Sequence, residues 1–160
     1  MTLQFGVIAL PVAFGCAAAM HPNHLPDNAR CYSAAGIIWP LGSDSAAEAG
    51  SHSWLILLPR RQAAYAVDTY GNSYGGSWRH IGGDSVVASL SDGLTVTSLR
   101  LFESGHGLSG RAHGISDEMK QDSTGVSVPF EYDWSARFTS LNCRAVPDSL
   151  LTHIDAASIR

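Results

Sequence analysis

Cys143 and His52 are the two side chains in this sequence best suited to covalent chemistry. A thiol hydrolase needs a cysteine whose thiolate is favoured and a histidine within hydrogen-bonding reach that accepts its proton. Cys143 follows Asn142, a good helix-capping residue. A helix N-terminus lowers the pKa of a nearby thiol through its free N–H groups and its dipole. We therefore predict Cys143 as a nucleophile and His52 as its general base.

A third polar group must orient the imidazole, and the best candidate lies on the neighbouring strand. Residues 52–58 and 63–70 predict two strands joined by a short turn at 59–62. Such a hairpin places Asp68, or one of the two residues after it, across from His52. Asp68 is the ionised member of this group, so we predict it as the orienting residue. A register shift of one residue would turn it to the opposite face.

Three short motifs resemble the circularly permuted branch of the NlpC/P60 papain-like cysteine hydrolases. They are Ser51-His52-Ser53-Trp54, Tyr132-Asp133-Trp134 and Leu141-Asn142-Cys143-Arg144. The resemblance spans roughly 100 residues and implies the nucleophile and base named above. It also implies an amide or ester substrate, with peptidoglycan peptide as the expected one, and no cofactor. Pro147 departs from the pattern because it cannot sit inside a helix that begins at Cys143.

Aromatic side chains near these motifs suggest a substrate groove, although aromatic residues also commonly fill a protein core. The residues that we predict to contact substrate are Trp54, Tyr70, Tyr74 and Trp134.

A second hypothesis makes the opposite demand on the same sulfur. Cys31 and Cys143 remain as an even pair if an N-terminal leader containing Cys16 is removed. In an oxidising compartment such a pair forms a structural disulfide. The chain would then be an exported binding or inhibitor protein without catalysis, since a Cys31–Cys143 bond excludes a thiol nucleophile.

Charge and the N-terminal segment limit the partners and the location. The formal net charge is −4 and no basic cluster is present, which argues against nucleic-acid binding. Residues 1–20 are largely apolar and end in a small-residue pattern, but residues 1–6 contain no Lys or Arg. They predict either an export signal or a buried first segment. We expect a secreted or periplasmic protein, leave a cytoplasmic location open, and expect membrane association only if this segment is an anchor.

The remaining patterns predict one α+β domain over residues 21–160, in which an antiparallel sheet packs against a few helices. Predicted helices cover 28–38, 116–121, 133–141 and 148–159, and the Gly-rich stretches 71–77 and 103–114 predict loops. Further strands are expected at 86–90, 94–102 and 126–132. His21, His24, His106 and His113 lie in loops without a nearby trio of ligands, so we predict no metal site.

Overall fold

Strands form most of the chain that the structure describes. The computed structural model describes residues 25–35, 52–69, 71–152 and 154. Its strands are β1 (Arg30–Ala35), β2 (His52–Leu58), β3 (Ala63–Asp68), β4 (Ser73–His80), β5 (Ser85–Ser91), β6 (Thr95–Ser104), β7 (Gly107–Gln121) and β8 (Ser127–Leu141). Short helical segments are the 3-10 turns Pro59–Arg61 and Cys143–Ala145 and the α-helix α1 (Asp148–Leu151).

The eight strands close into an antiparallel barrel. Each strand pairs with the next along the chain, and β8 returns to pair with β1. The predicted α+β class and the permuted papain-like arrangement are therefore wrong. The fold is an up-and-down barrel, in which closure leaves the sheet without the free edges of an open one.

Several segments that were predicted as helices or loops are strands, because their side chains alternate between buried and exposed positions. In β8, Trp134, Ala136 and Phe138 turn inward, while Asp133 and Arg137 stay exposed. The helices predicted at 28–38, 116–121 and 133–141 are replaced by strand residues of β1, β7 and β8, and the loops predicted at 71–77 and 103–114 fall largely in β4, β6 and β7.

Other predicted elements agree with the structure. The hairpin formed by β2 and β3 and the strands at 86–90 and 94–102 are confirmed within a few residues, and the strand predicted at 126–132 forms the first part of β8. The C-terminal helix begins at Asp148 as predicted, but α1 ends at Leu151. The predicted export or buried segment at 1–20 lies outside the described residues, as do 155–160.

The barrel interior is packed with apolar side chains from every strand. Leu99, Leu101 and Phe138 are almost fully buried. The rest of this cluster includes Tyr32, Leu55, Leu57, Ala66, Tyr74, Trp78, Val86, Leu90, Leu108 and Ala136. Eight strands enclose a space that side chains can fill, and here they largely do.

A second apolar cluster covers the outside of β1, β2 and β3. The side chains of Cys31, Ile56 and Val67 point outward there, and the C-terminal segment covers them with Leu150 and Leu151. This explains why β2 is apolar on both faces: its inner residues join the interior and its outer residues pack under α1.

The two ends of the barrel differ. We call the end where β1 begins and β8 finishes the disulfide end, because Cys31 and Cys143 are bonded there. At the opposite end, the hairpin of β7 and β8 continues past the last β6 pair, Thr95 with Ser116, as a two-stranded ribbon. We call this the ribbon end.

Candidate functional site

Cys143 is bonded to Cys31, so its sulfur is not a free thiol in this structure. The two Cα atoms are 5.1 Å apart, and the bond joins residues separated by 112 positions. Cys143 opens a 3-10 turn in which the Asn142 side chain accepts a hydrogen bond from the Arg144 N–H at 3.0 Å. The α-helix begins only after Pro147, so the helix dipole invoked for Cys143 is displaced by a full turn.

His52 is the first residue of β2 and lies beside the end of β1 that is farther from the disulfide. It pairs with Ala35, whereas Cys31 pairs with Ile56. Cys31 and Ala35 are four positions apart along β1, which corresponds to about 13 Å. The His52 ring stacks on Trp54 with centroids 6.1 Å apart, on the outer face of the barrel. The structure thus does not bring the proposed base to the proposed nucleophile.

Asp68 points into the barrel, away from the His52 ring. It pairs with Ser53, and both side chains are fully buried. Its carboxylate accepts hydrogen bonds from the Asn72 N–H at 3.0 Å and the Asn72 side-chain amide at 2.8 Å. Thr69 occupies the position across from His52, and its hydroxyl accepts a hydrogen bond from the His52 N–H at 2.6 Å.

The predicted substrate-contacting aromatics do not share one groove. Trp54 is half-buried in the outer cluster. Tyr74 is 2% exposed inside the barrel, and Trp134 packs partly buried against the inner cluster. Tyr70 lies outside the described residues.

A groove of about 1000 Å³ borders the disulfide. Its charged lining is mixed, because it includes Arg30 and Arg144 as well as Asp27 and Asp148. The Arg30 guanidinium donates a hydrogen bond to Glu103 at 2.8 Å, which raises the pKa of Arg30 and lowers the pKa of Glu103. Among its described lining residues there is no histidine.

The buried polar residues concentrate in the half of the interior near the ribbon end. In the described chain these residues are Ser53, Asp68, Thr95, Thr97 and Ser116. The Tyr132 hydroxyl hydrogen-bonds with Ser116 and Thr95, while burial raises the pKa of Tyr132. Burial also raises the pKa of Tyr74, with nearby Asp92 and Asp68 acting in the same direction.

Two polar atoms in this region have no hydrogen-bond partner among the described residues. They are the Thr97 hydroxyl oxygen and the Trp134 ring nitrogen Nε1, both buried. Thr97 pairs with Gly114, and Gly114 pairs with Tyr132, one layer from Trp134. A Cβ at position 114 would collide with the Tyr132 ring, so glycine there makes room for these aromatics. An unpartnered N–H and an unpartnered hydroxyl in the same half of the interior suit a small ligand that offers a carbonyl oxygen.

An aromatic ladder leads from the ribbon into this polar interior. Phe130, Tyr132 and Trp134 follow one another on the inner face of β8, with ring centroids 5.2 Å and 6.0 Å apart. Lys120 lies with its ammonium 4.8 Å above the Phe130 ring. This ladder was not predicted from the sequence, although the spacing of Val128, Phe130, Tyr132 and Trp134 at every second residue indicates one face of a strand.

The described residues contain no group of three or more His, Cys, Asp and Glu side chains arranged to hold a metal ion. His21 and His24, considered as ligands from the sequence, lie outside the described ranges. None of the helices formed by the described residues has the length and apolar character needed to span a lipid bilayer.

Comparison with known proteins adds no family assignment. No family model, no curated protein and no solved structure matches this chain.

Proposed function

We propose that this chain is an exported binding or inhibitor protein and that Cys143 has a structural role. The observation that carries the proposal is the Cys31–Cys143 bond. A cysteine nucleophile reacts as its thiolate, and a sulfur held in a disulfide supplies none. Disulfides persist mainly in oxidising compartments, which supports a secreted or periplasmic location.

The ribbon end is the part of the barrel that we propose for recognition. Ligand sites favour the mouths of barrels, where a few polar groups converge in an apolar setting. Here Thr97 and Trp134 each leave a polar atom unpartnered, and the ladder of Phe130 and Tyr132 extends outward from them. The disulfide-end half is filled by residues such as Leu101 and Phe138, and the described residues there leave no comparable polar group.

A peptide carbonyl is the ligand group that these atoms fit best. The Trp134 ring nitrogen is a donor only, while the Thr97 hydroxyl both donates and accepts. A peptide strand offers carbonyl and amide groups in turn, and aromatic rings pack well against its backbone. We therefore propose that this region binds a peptide without cleaving it, and peptidoglycan stem peptide, the partner expected from the sequence, is the first peptide to test.

Thiol mapping tests the structural role of the sulfur. The native protein is treated with an alkylating reagent without reductant, digested and analysed by mass spectrometry. We expect a disulfide-linked peptide containing Cys31 and Cys143 and no alkylation at either residue. Alkylated Cys143 in the native, exported protein would reopen the hydrolase hypothesis, as would stem-peptide cleavage that Cys143→Ala abolishes.

Titration with a soluble stem peptide tests the site. The indole N–H resonance of Trp134, assigned as the signal missing from Trp134→Phe, should shift as peptide is added. Trp54→Phe serves as the matched control, because Trp54 lies on the outer face. A titration that moves the Trp54 signal and leaves the Trp134 signal in place would contradict recognition at the ribbon end.

A further inference from the structure

The outer face of β6, β7 and β8 carries an ordered pattern of charge and apolar groups that the proposed ligand site does not use. Alternate residues of these strands point outward, because Thr95, Thr97, Leu99 and Leu101 of β6 are buried and the residues between them are exposed. Strand pairing arranges the outward residues in four rows across the three strands. From the ribbon end, the rows are Val96–Ile115–Glu131, Ser98–His113–Asp133, Arg100–Arg111–Ser135 and Phe102–Ser109–Arg137.

We call these four rows the outer face. Its two acidic residues, Glu131 and Asp133, occupy the two rows near the ribbon, whereas its three arginines occupy the other two rows. Large apolar side chains stand at both ends: Val96 is 46% and Ile115 39% exposed at one end, and Phe102 is 54% exposed at the other.

This arrangement is complementary to itself. Consider a two-fold axis that lies in the interface, perpendicular to the strands and between the second and third rows. It places the first row of one copy opposite the fourth row of the other, and the second row opposite the third. It sets Val96 opposite Phe102 and Glu131 opposite Arg137, each pair formed twice. Asp133, which lies 3.1 Å from His113 on its own chain, then comes near Arg111 of the other copy. Such pairing is what an isologous interface requires.

We propose that a second copy of this chain docks on the outer face, so that the protein forms a two-fold symmetric dimer through β6, β7 and β8. The inference does not depend on the proposed ligand, because the aromatic ladder lies on the opposite face of β8. The symmetry turns the two ribbons in opposite directions and leaves both ribbon ends accessible.

Other occupants of the outer face fit its charge pattern less well. A uniformly basic partner would repel the three arginines, and a uniformly acidic one would repel Glu131 and Asp133. The stretches 1–24 and 36–51 of this chain contain no Lys or Arg, so neither can neutralise the acidic rows.

The size of the outer face predicts a weak dimer. Four rows spaced two residues apart extend over about 20 Å, and three strands span about 10 Å. Twelve residues are fewer than the 20–30 a side of a typical stable interface, and a barrel wall is convex. We therefore expect dissociation at roughly micromolar concentration, with weaker binding in high salt.

Charge exchange between Glu131 and Arg137 is the test. Sedimentation velocity of the oxidised protein, over about three orders of magnitude of concentration around the micromolar range, should show a monomer–dimer equilibrium. Glu131→Arg alone and Arg137→Glu alone should each weaken the dimer by at least about tenfold, because like charges then face each other twice. An equimolar mixture of the two variants should dimerise again, since each arginine meets a glutamate.

The restoration by mixing separates the proposal from a folding defect, because a misfolded chain does not regain its partner by mixing. Arg79→Glu changes an exposed outward residue of β4 and should leave the dimer unchanged. A wild-type protein that stays monomeric throughout would overturn the proposal. So would a dimer that both single variants preserve, or a mixture that fails to associate.

Discussion

At the residue scale, Thr97 is a buried polar group whose effect on the free energy of unfolding can be measured. Its hydroxyl is fully buried and has no partner, while Thr95, two residues earlier on the same inner face, hydrogen-bonds with Tyr132. Thr97→Val removes an unsatisfied hydroxyl and should leave the free energy of unfolding unchanged or raise it by about 1 kcal/mol. Thr95→Val should lower it by about 1 kcal/mol, because a hydrogen bond is lost.

Denaturant unfolding of the two variants checks this prediction. If Thr97→Val is the more destabilising of the two, the Thr97 hydroxyl is satisfied by a bound molecule in solution. That outcome would strengthen the ligand site at the ribbon end and contradict the expectation of an empty hydrogen-bonding position.

Glu103 provides a pH-dependent contribution at the disulfide end. The hydrogen bond from Arg30 holds the pKa of Glu103 below its ordinary value, and His80 Nε2 lies 3.8 Å from the same oxygen. A lowered folded-state pKa stabilises the fold above the ordinary pKa, and this stability is lost as pH falls through the lowered value. Wild type should therefore exceed Glu103→Gln in stability by up to about 1 kcal/mol at neutral pH, with no difference in acid.

Unfolding free energies at several pH values measure this difference. The same measurement on Glu118→Gln, which alters an exposed carboxylate of β7 outside the outer face, provides the matched control. A Glu103→Gln difference that persists below the lowered pKa would assign the effect to packing and not to ionisation.

The assignment of Asp68 shows how far single residues could be predicted. The hairpin and both of its strands were recognised from apolar runs and a turn. The face of the sheet on which Asp68 lies was not predicted, because it depends on the number of residues in the turn. Leu58 pairs with Ala63 across a four-residue connection. That register sets Thr69 opposite His52 and Asp68 opposite Ser53. A single position thus converts a predicted catalytic carboxylate into a buried structural one.

At the scale of an element, β4 depends on a glycine that composition alone assigns to a loop. A Cβ on Gly76 would collide with the backbone carbonyl of Ser89 on β5, whereas a Cβ on Gly75 would make ordinary contact with the Tyr65 ring at 3.6 Å. Gly76→Ala should lower the free energy of unfolding by about 1–3 kcal/mol or more, since a strand backbone must shift. Gly75→Ala should change it by less than about 1 kcal/mol.

Thermal and denaturant melts of this neighbouring pair give the comparison directly. Equal effects of the two substitutions would contradict the close approach of β4 to β5. The pair also explains the error in the prediction for 71–77: glycine marks turns, but it equally marks places where two strands come unusually near.

Long strands were harder to predict than short ones. β7 and β8 each extend over 15 residues. The strand predicted at 126–132 forms the first part of β8, whereas 133–141 was predicted as a helix and β7 as a loop followed by a helix. In β7 the buried positions include Gly114 and Ser116, so its apolar alternation is weak. The short strands β5 and β6 alternate fully and were predicted correctly.

At the scale of the whole molecule, closure of the barrel could not be read from the sequence. It depends on β8 reaching β1 across the length of the chain, and nothing local signals such a contact. The described pairing between them involves Cys31–Leu141, Tyr32–Ser140 and Ser33–Thr139, whereas β6 and β7 pair over ten positions. The seam that closes the barrel is therefore its shortest ladder, and the disulfide joins its two sides.

This position gives the disulfide a specific mechanical role that can be tested. Replacing both Cys31 and Cys143 by alanine should lower the free energy of unfolding by about 2–5 kcal/mol, because a cross-link over a long loop restricts the unfolded chain. Native-state hydrogen exchange should also show a local effect. Amides of β1 and of the last residues of β8 should lose protection first. Amides of β5 and β6, which lie away from the seam, should keep their protection until global unfolding. Reduced wild-type protein is the matched control and should exchange like the double variant. Uniform loss of protection around the barrel would mean that the disulfide stabilises only through the unfolded state, and that the three residue pairs between β1 and β8 suffice to hold the seam closed.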